Sequence, residues 1–334
     1  MDFFVFYVFF EAILIPMFLF ITFWGSRSRK VYAAYQLFIY TLLGSIFVLL
    51  SFITIYLNKG SSLLDFSLYG YYFPQRQLLL WLFLFLGFSV KIPVVPFHLW
   101  LPEAHVEAPT VGSVILAGII LKLGAYAMLR FLFTSFSLVI ADVLFLVLLV
   151  AFVGFIHASL VAFNQIDIKK IIAYSSISHM NFALLGLFSL HLLGISGAFV
   201  MLFGHALTAS ALFFGIGVLY DRYKTRLIFY YSSMAIFMPL FSVLYFCFVL
   251  ANFGFPGTVN FVGEFMLLSG AFSFSNFLIL CSTLGLVLTL IYSLFFFNRV
   301  FFGPLLPSIF LRFYSDYSRR ELAIHLCLLF FIIL

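Results

Sequence analysis

KIPVVPFHLWLPEAHVEAPTVGSVILAGIILKLGAYAMLRF, residues 91–131, is the stretch on which the reading of this chain turns. It holds a lysine at each end of its apolar body, Lys91 and Lys122, with Lys91 followed at once by Ile-Pro-Val-Val-Pro at 92–96. Proline removes a backbone donor and clashes with the preceding turn, so an apolar run carrying two of them breaks there. The run around it, 77–106, is too long for one straight crossing of a bilayer, so it reads as a broken helix interrupted at 91–96. A second run, 229–271, has the same character, with Asn-Phe-Gly-Phe-Pro-Gly-Thr at 252–258 as its interruption.

Outward from that stretch, the 334 residues are 65% hydrophobic, 22% aromatic and only 8% charged, with a mean hydropathy of +1.23. Soluble domains carry about 25% charge, so this composition excludes a water-soluble globule and defines an all-α polytopic membrane protein. Apolar runs of about 20 residues give ten segments. They lie near 3–24, 33–57, 77–106, 111–133, 136–163, 170–190, 193–220, 229–271, 276–302 and 321–334, the last a partial span. The N-terminus enters an apolar run without a basic leader, so a real spanning helix is expected there and not a cleaved signal. The 51 phenylalanines suggest a T-rich gene, hence an organelle-encoded protein, which the gene's base composition tests.

Basic residues accumulate on the non-translocated side of a membrane. On alternating loops, twelve fall on one side: Arg27, Arg29, Lys30, Lys169, Lys170, Arg222, Lys224, Arg226, Arg299, Arg312, Arg319 and Arg320. Three, Lys59, Arg76 and Arg130, fall on the other, and Lys91 and Lys122 fall inside the membrane. The net charge of +6 is therefore topological; scattered among apolar runs, it forms no phosphate track, and no nucleic acid is expected as a partner. Cys247, Cys281 and Cys327 lack metal or disulfide spacing and read as small hydrophobes.

The two breaks stand five segments apart, which points to an internal repeat whose broken helices line a midplane site. Five is odd, so the units are expected to be inverted. The boundaries read as 1–135, an incomplete first repeat; 136–303, the second repeat; and 304–334, an amphipathic connection with a partial C-terminal helix.

An ionisable group near the centre of a spanning helix costs about 2.5–3.5 kcal/mol to insert, so each demands a reason. Glu11, Lys91, Lys122 and Glu264 are four such groups. Static ion pairs are a poor return for that cost, since polar helix contacts in membranes are worth about 0.6 kcal/mol on average. Burial disfavours the charged form of a side chain and an opposite charge favours it, so a partner that changes distance toggles proton affinity. The group of four thus reads as a proton relay. His179 in SSISHMN and His205 in LFGHALTAS sit at matched depth with serines nearby and extend it, while His157, His191 and His325 read as structural. No phosphate-binding glycine loop, dinucleotide fingerprint or cysteine cluster occurs, so no cofactor or metal is expected in this chain and electron chemistry is expected elsewhere.

Three stretches, the opening one, DIKKIIAYSSISHMNFALLG at 167–186 and GFPGTVNFVGEFM at 254–266, resemble the subunit-4 family of NADH dehydrogenase, an antiporter-like subunit of the membrane arm of respiratory complex I. The resemblance runs from FFEAILIPMFLFITFWG to YSLFFFNRVFFG near 292–303. It implies the antiporter-like fold of two inverted five-helix repeats and a place in a proton-translocating NADH:ubiquinone reductase. It also implies roles: Glu11 and Lys91 as the pair tuning a first half-channel, Lys122 passing the proton inward, His179 and His205 on a central axis, and Glu264 as the terminal group. NADH, FMN, iron–sulfur clusters and ubiquinone are implied for other subunits. The implied partners are those membrane-arm subunits, neighbouring antiporter-like subunits among them, together with lipids; the implied location is the mitochondrial inner membrane with the basic loops facing the matrix. Family members begin four helices earlier, which leaves open a separate polypeptide, a replacement subunit or outright loss. Two other functions fit the residues: a multisubunit cation/proton antiporter, and a non-pumping scaffold.

Overall fold

The computed structural model describes residues 2–64, 73–304 and 315–333. The 305–314 part of the expected amphipathic connection, Arg312 within it, and the side chain of Cys281 lie outside the described residues. The chain is a helical bundle. Helix α1 spans Phe3–Trp24, α2 Lys30–Lys59, α3 Pro74–Lys91, α4 Trp100–Glu107, α5 Thr110–Phe133, α6 Ser137–Phe163 and α7 Ile168–Leu187. It continues with α8 Leu192–Tyr223, α9 Pro239–Asn252, α10 Val259–Phe274, α11 Asn276–Phe301 and α12 Arg319–Ile332. Among the described residues six helices, α1, α2, α5, α6, α8 and α11, are long and apolar enough to cross a membrane, so this is a multi-pass membrane protein.

Helix ends follow local chemistry. Pro74 and Pro239 occupy first-turn positions, where a missing N–H costs nothing. Asp2, Asp167, Thr258, Ser275 and Ser318 accept from the first free amides of α1, α7, α10, α11 and α12. Pro16 denies α1 one bond and crowds the carbonyl of Ala12, and the helix is interrupted at Ile13, one turn earlier. The expected run from 229 starts later: Ser233 takes a left-handed φ of 51°, and after a short turn at Met234–Phe237 the helix begins at Pro239.

Both sequence breaks are structural breaks. At the first, Val95–Pro96 is cis, the Trp100 indole donates to the Val90 carbonyl at 3.0 Å, and the Asn181 amide donates to Pro93 O at 3.2 Å. At the second, Asn260 donates to Ala251 O at 2.8 Å. Backbone freed inside a membrane must find such partners, and here side chains supply them. At about 1.5 Å per residue, α9 and α10 each fall short of a 30 Å core and together straddle the break.

Helix α7 is the hub. Every residue of it except Lys170 and Tyr174 is buried, which lets the SSISHMN segment sit at the centre of the bundle. It packs on α6, α8 and α4, and α8 packs along α10. The outer faces present a belt of bare apolar side chains such as Phe145, Leu192 and Phe277, as a lipid-facing surface requires.

The loops separate into two ends. Arg27 pairs with Asp167 at 3.4 Å, the Arg226 guanidinium donates to Ser26 Oγ and Val106 O, and Arg222 grips Glu321 through both guanidinium nitrogens. Loops expected on the basic side thus meet at one end, while Asp2, accepting from Ser62, closes the other beside Lys59. Arg222 also donates to the Ser315 and Asp316 carbonyls, tying α12 to α8. Arg222→Ala is expected to loosen α12 by about 1–2 kcal/mol, a charge-assisted bidentate contact discounted for its partial exposure. Hydrogen exchange over 319–332 should then quicken roughly tenfold; unchanged exchange there would show the clamp to be idle.

Candidate buried relay site

Lys91 closes α3 at the first break and is 1% exposed. Its ammonium lies 3.9 Å from Glu11 Oε1, donates to Phe10 O at 3.4 Å and stands 4.4 Å over the Phe10 ring. Glu11 belongs to the last turn of α1 before its interruption, and its buried Oε1 makes no hydrogen bond. An ion pair this long, with a spare acceptor, leaves the contact free to tighten or part. Helix α5, which carries Lys122, passes the break at Gly124, where a Cβ would lie 3.1 Å from Lys91 Cβ.

Lys122 follows a π-helical turn at Leu116–Ile120. Such turns shift the bonding ladder and release carbonyls, and the Lys122 ammonium takes one, donating to Ala117 O at 2.5 Å. Its Nζ is 2.8 Å from His205 Nδ1 on α8. The His205 and His179 rings lie 5.5 Å apart, centroid to centroid, and both residues are fully buried. Nε2 of His205 has no hydrogen-bond partner among the described residues. Asn252, the last residue before the second break, stands beside His179. Next to it a cavity of about 10 Å³ is lined in part by Ser175, Asn252, Tyr292 and Ser293. That space takes about one water with several polar partners.

Glu264 lies on α10 just beyond the second break, 5% exposed, with Oε1 unpaired and Tyr292 within its electrostatic reach. The break itself wraps the carboxylate: Gly254 has φ +70°, and a Cβ there would fall 2.0 Å from Glu264 Oε2. Gly254→Ala is expected to cost about 1–2 kcal/mol in left-handed backbone strain and to push the carboxylate aside. A lowered thermal midpoint is the expected result; an unchanged midpoint would refute the strain.

Of the six expected site residues Lys91, His179, His205 and Glu264 are buried and Glu11 and Lys122 half-buried; the structure brings Glu11 to Lys91 and Lys122 to His205 and His179, with Asn252 and Tyr292 standing between His179 and Glu264. The structure adds groups the sequence reading did not single out. His105 and Glu107 are buried on α4, and Lys169 and Arg226, expected as loop charges, are buried as well, at 1% and 2% exposure. Position near a loop misjudged them, because α4 folds back over the end of α7; three ionisable residues, Glu103, His105 and Glu107, in the eight of α4 just after a helix break were the available signal. Lys170 pairs with Glu103 at 2.6 Å at the edge of this group. His191 caps α8 and His325 packs among aromatic rings, both structural, while His157 faces His98 with ring centroids 5.5 Å apart. Among the described residues no three His, Cys, Asp or Glu side chains converge as a metal site would require.

Fold and site together define a polytopic, antiporter-like membrane protein, with two discontinuous helices and a charged row buried between them. The chain belongs to the NADH:quinone oxidoreductase/Mrp antiporter membrane family, whose pattern matches residues 1–291. It is 49% identical over 326 residues to the NADH-ubiquinone oxidoreductase chain 4 of Marchantia polymorpha, covering 98% of this chain and 66% of that protein. To the chain 4 of Arabidopsis thaliana it is 48% identical, covering 97% of this chain and 65% of that one. It thus spans about two thirds of the length of these relatives. Among solved structures it resembles a chain of respiratory complex I from Thermus thermophilus with bound NADH: TM-score 0.91, 30% identity, 99% of this chain and 70% of that one. It also shares the fold of a chain in the Mrp complex from Dietzia: TM-score 0.84, 24% identity, 92% of this chain and 58% of that one.

Proposed function

We propose that this chain is a proton-translocating membrane-arm subunit of respiratory complex I, working as part of the NADH:ubiquinone reductase in the mitochondrial inner membrane. The observation that carries the reading is the buried row itself. Each member has a spare donor or acceptor, and each keeps company with a break, a π-turn or a water-sized cavity that lets it rearrange. Glu11 holds or releases Lys91 as their separation changes. Lys122 exchanges a proton with His205, the two imidazoles and a water beside Asn252 carry it on, and Glu264 accepts it. The two breaks correspond to one another as the discontinuous helices of inverted repeats, 1–135 and 136–303.

NADH, FMN, iron–sulfur clusters and ubiquinone belong, in this reading, to other subunits, whose redox chemistry drives the row. Neighbouring antiporter-like subunits cover part of the apolar belt, and lipids the rest. The basic end of the bundle faces the matrix. The relatives named NADH-ubiquinone oxidoreductase chain 4 support this reading over a cation/proton antiporter, since the likeness to the Mrp complex, at 24% identity, speaks for the fold alone.

Purification from native membranes tests it. The chain is expected to migrate in a large assembly that oxidises NADH and contains flavin and iron–sulfur subunits. Migration in a membrane assembly lacking those subunits would overturn the assignment.

A further inference from the structure

His105 on α4 is fully buried, and neither of its ring nitrogens has a hydrogen-bond partner. What fixes the ring is a face-to-face stack on Phe213 of α8, with centroids 4.5 Å apart and 8° between planes. It lies within electrostatic reach of Lys122 and of His205 in the central row. It is also within reach of Lys169, whose ammonium donates to the carbonyl of Ala108 at 2.7 Å. Ala108 is three residues beyond His105 and caps the same helix. Lys169 spends one of its three donors there, and beyond it lie Asp167 and Arg27, an ion pair whose arginine side chain is 45% exposed at the basic end.

A buried imidazole held only by stacking is unusual, because unpaired polar atoms in an interior are costly. A ring retained merely for packing would be better as phenylalanine. An imidazole with both nitrogens free and two lysines within its electrostatic reach has the chemistry of a proton carrier: it binds a proton on one nitrogen and releases another from the opposite one.

We infer that His105 and Lys169 form a proton path between the basic end of the bundle and the Lys122–His205 pair, separate from the Glu11–Lys91 pair. In the inward step the Lys169 ammonium gives a proton to one nitrogen of neutral His105 and becomes an amine. The imidazolium gives the proton on its other nitrogen to the amine of Lys122 or to His205. Lys169 is reprotonated from the basic end, and exchange of the ring proton between the nitrogens resets His105. No charge is created or lost beyond the proton moved. This inference rests on the proposed relay function and deepens it.

The test uses the whole assembled complex in proteoliposomes. His105→Phe keeps a ring against Phe213 and removes proton carriage, Lys169→Met keeps an apolar stem, and Lys122→Ala serves as the comparison; assembly is checked on native gels. A positioned acid–base group contributes about 10²–10⁴-fold, so proton uptake from the basic side should slow by at least about tenfold in both His105→Phe and Lys169→Met. Wild-type uptake in His105→Phe alongside lost pumping in Lys122→Ala would overturn the path and leave the relay standing. Wild-type pumping in all three would overturn both. Should the phenylalanine variant fail to assemble, His105→Gln takes its place, with wild-type uptake again refuting the path.

Discussion

Lys122→Met, in the assembled complex, is expected to abolish proton translocation while leaving assembly intact. Methionine retains the unbranched stem and fills the space between α5 and α8, so packing changes little. What disappears is the ammonium that donates to Ala117 O at 2.5 Å and meets His205 Nδ1 at 2.8 Å. Removing a membrane-buried charge also removes an insertion cost of about 2.5–3.5 kcal/mol, so the variant has no stability reason to be lost. Loss of a positioned proton carrier lowers the rate by about 10²–10⁴-fold, which in a coupled pump reads as no measurable gradient. Lys122→Arg should fail nearly as badly, because a guanidinium does not give up its proton and cannot serve as carrier. A pH-sensitive dye in proteoliposomes makes the measurement, and a wild-type ratio of protons moved to NADH oxidised in Lys122→Met would end the relay assignment.

The second large effect is expected at Glu264. Glu264→Gln is nearly isosteric, and among the described residues the native carboxylate has no ion-pair partner to strand, so the break around Gly254 should close over the amide as it does over the acid. An amide neither takes up nor releases a proton at physiological pH, so translocation should fall by about 10²-fold or more with normal assembly. Glu264→Ala is the weaker experiment, since it adds a cavity next to a strained turn. Pumping at the wild-type rate in Glu264→Gln would show the carboxylate to be a packing group only.

The pattern of helices was readable because its causes are local. Spanning runs, the prolines at 91–96 and the glycines and proline at 252–258 each act within a few positions of themselves. Boundaries expected for α1, α5, α6 and α11 agree with the structure to within two residues. The late start of α9 escaped notice, because an apolar run from 229 conceals a turn set by Ser233 and Pro239. The π-turn before Lys122 escaped too, having no compositional mark.

The site divides along the same line. The insertion cost of Glu11, Lys91, Lys122 and Glu264 singled them out, and that cost is a property of one side chain in one segment. His105, Lys169 and Arg226 were invisible because their burial depends on where an eight-residue helix folds back against α7.

By itself, then, the sequence determined that the chain crosses a membrane many times, where two of its helices break and which charges are too expensive to be idle. Only the tertiary structure decided which of them meet. Lys122 and His205 are 83 residues apart, and their 2.8 Å contact depends on the rotation of α5 and α8 about their own axes and on the depth at which each is held. Those quantities are set by packing against α7 and α10, where all helices act at once, and no local pattern of residues encodes them.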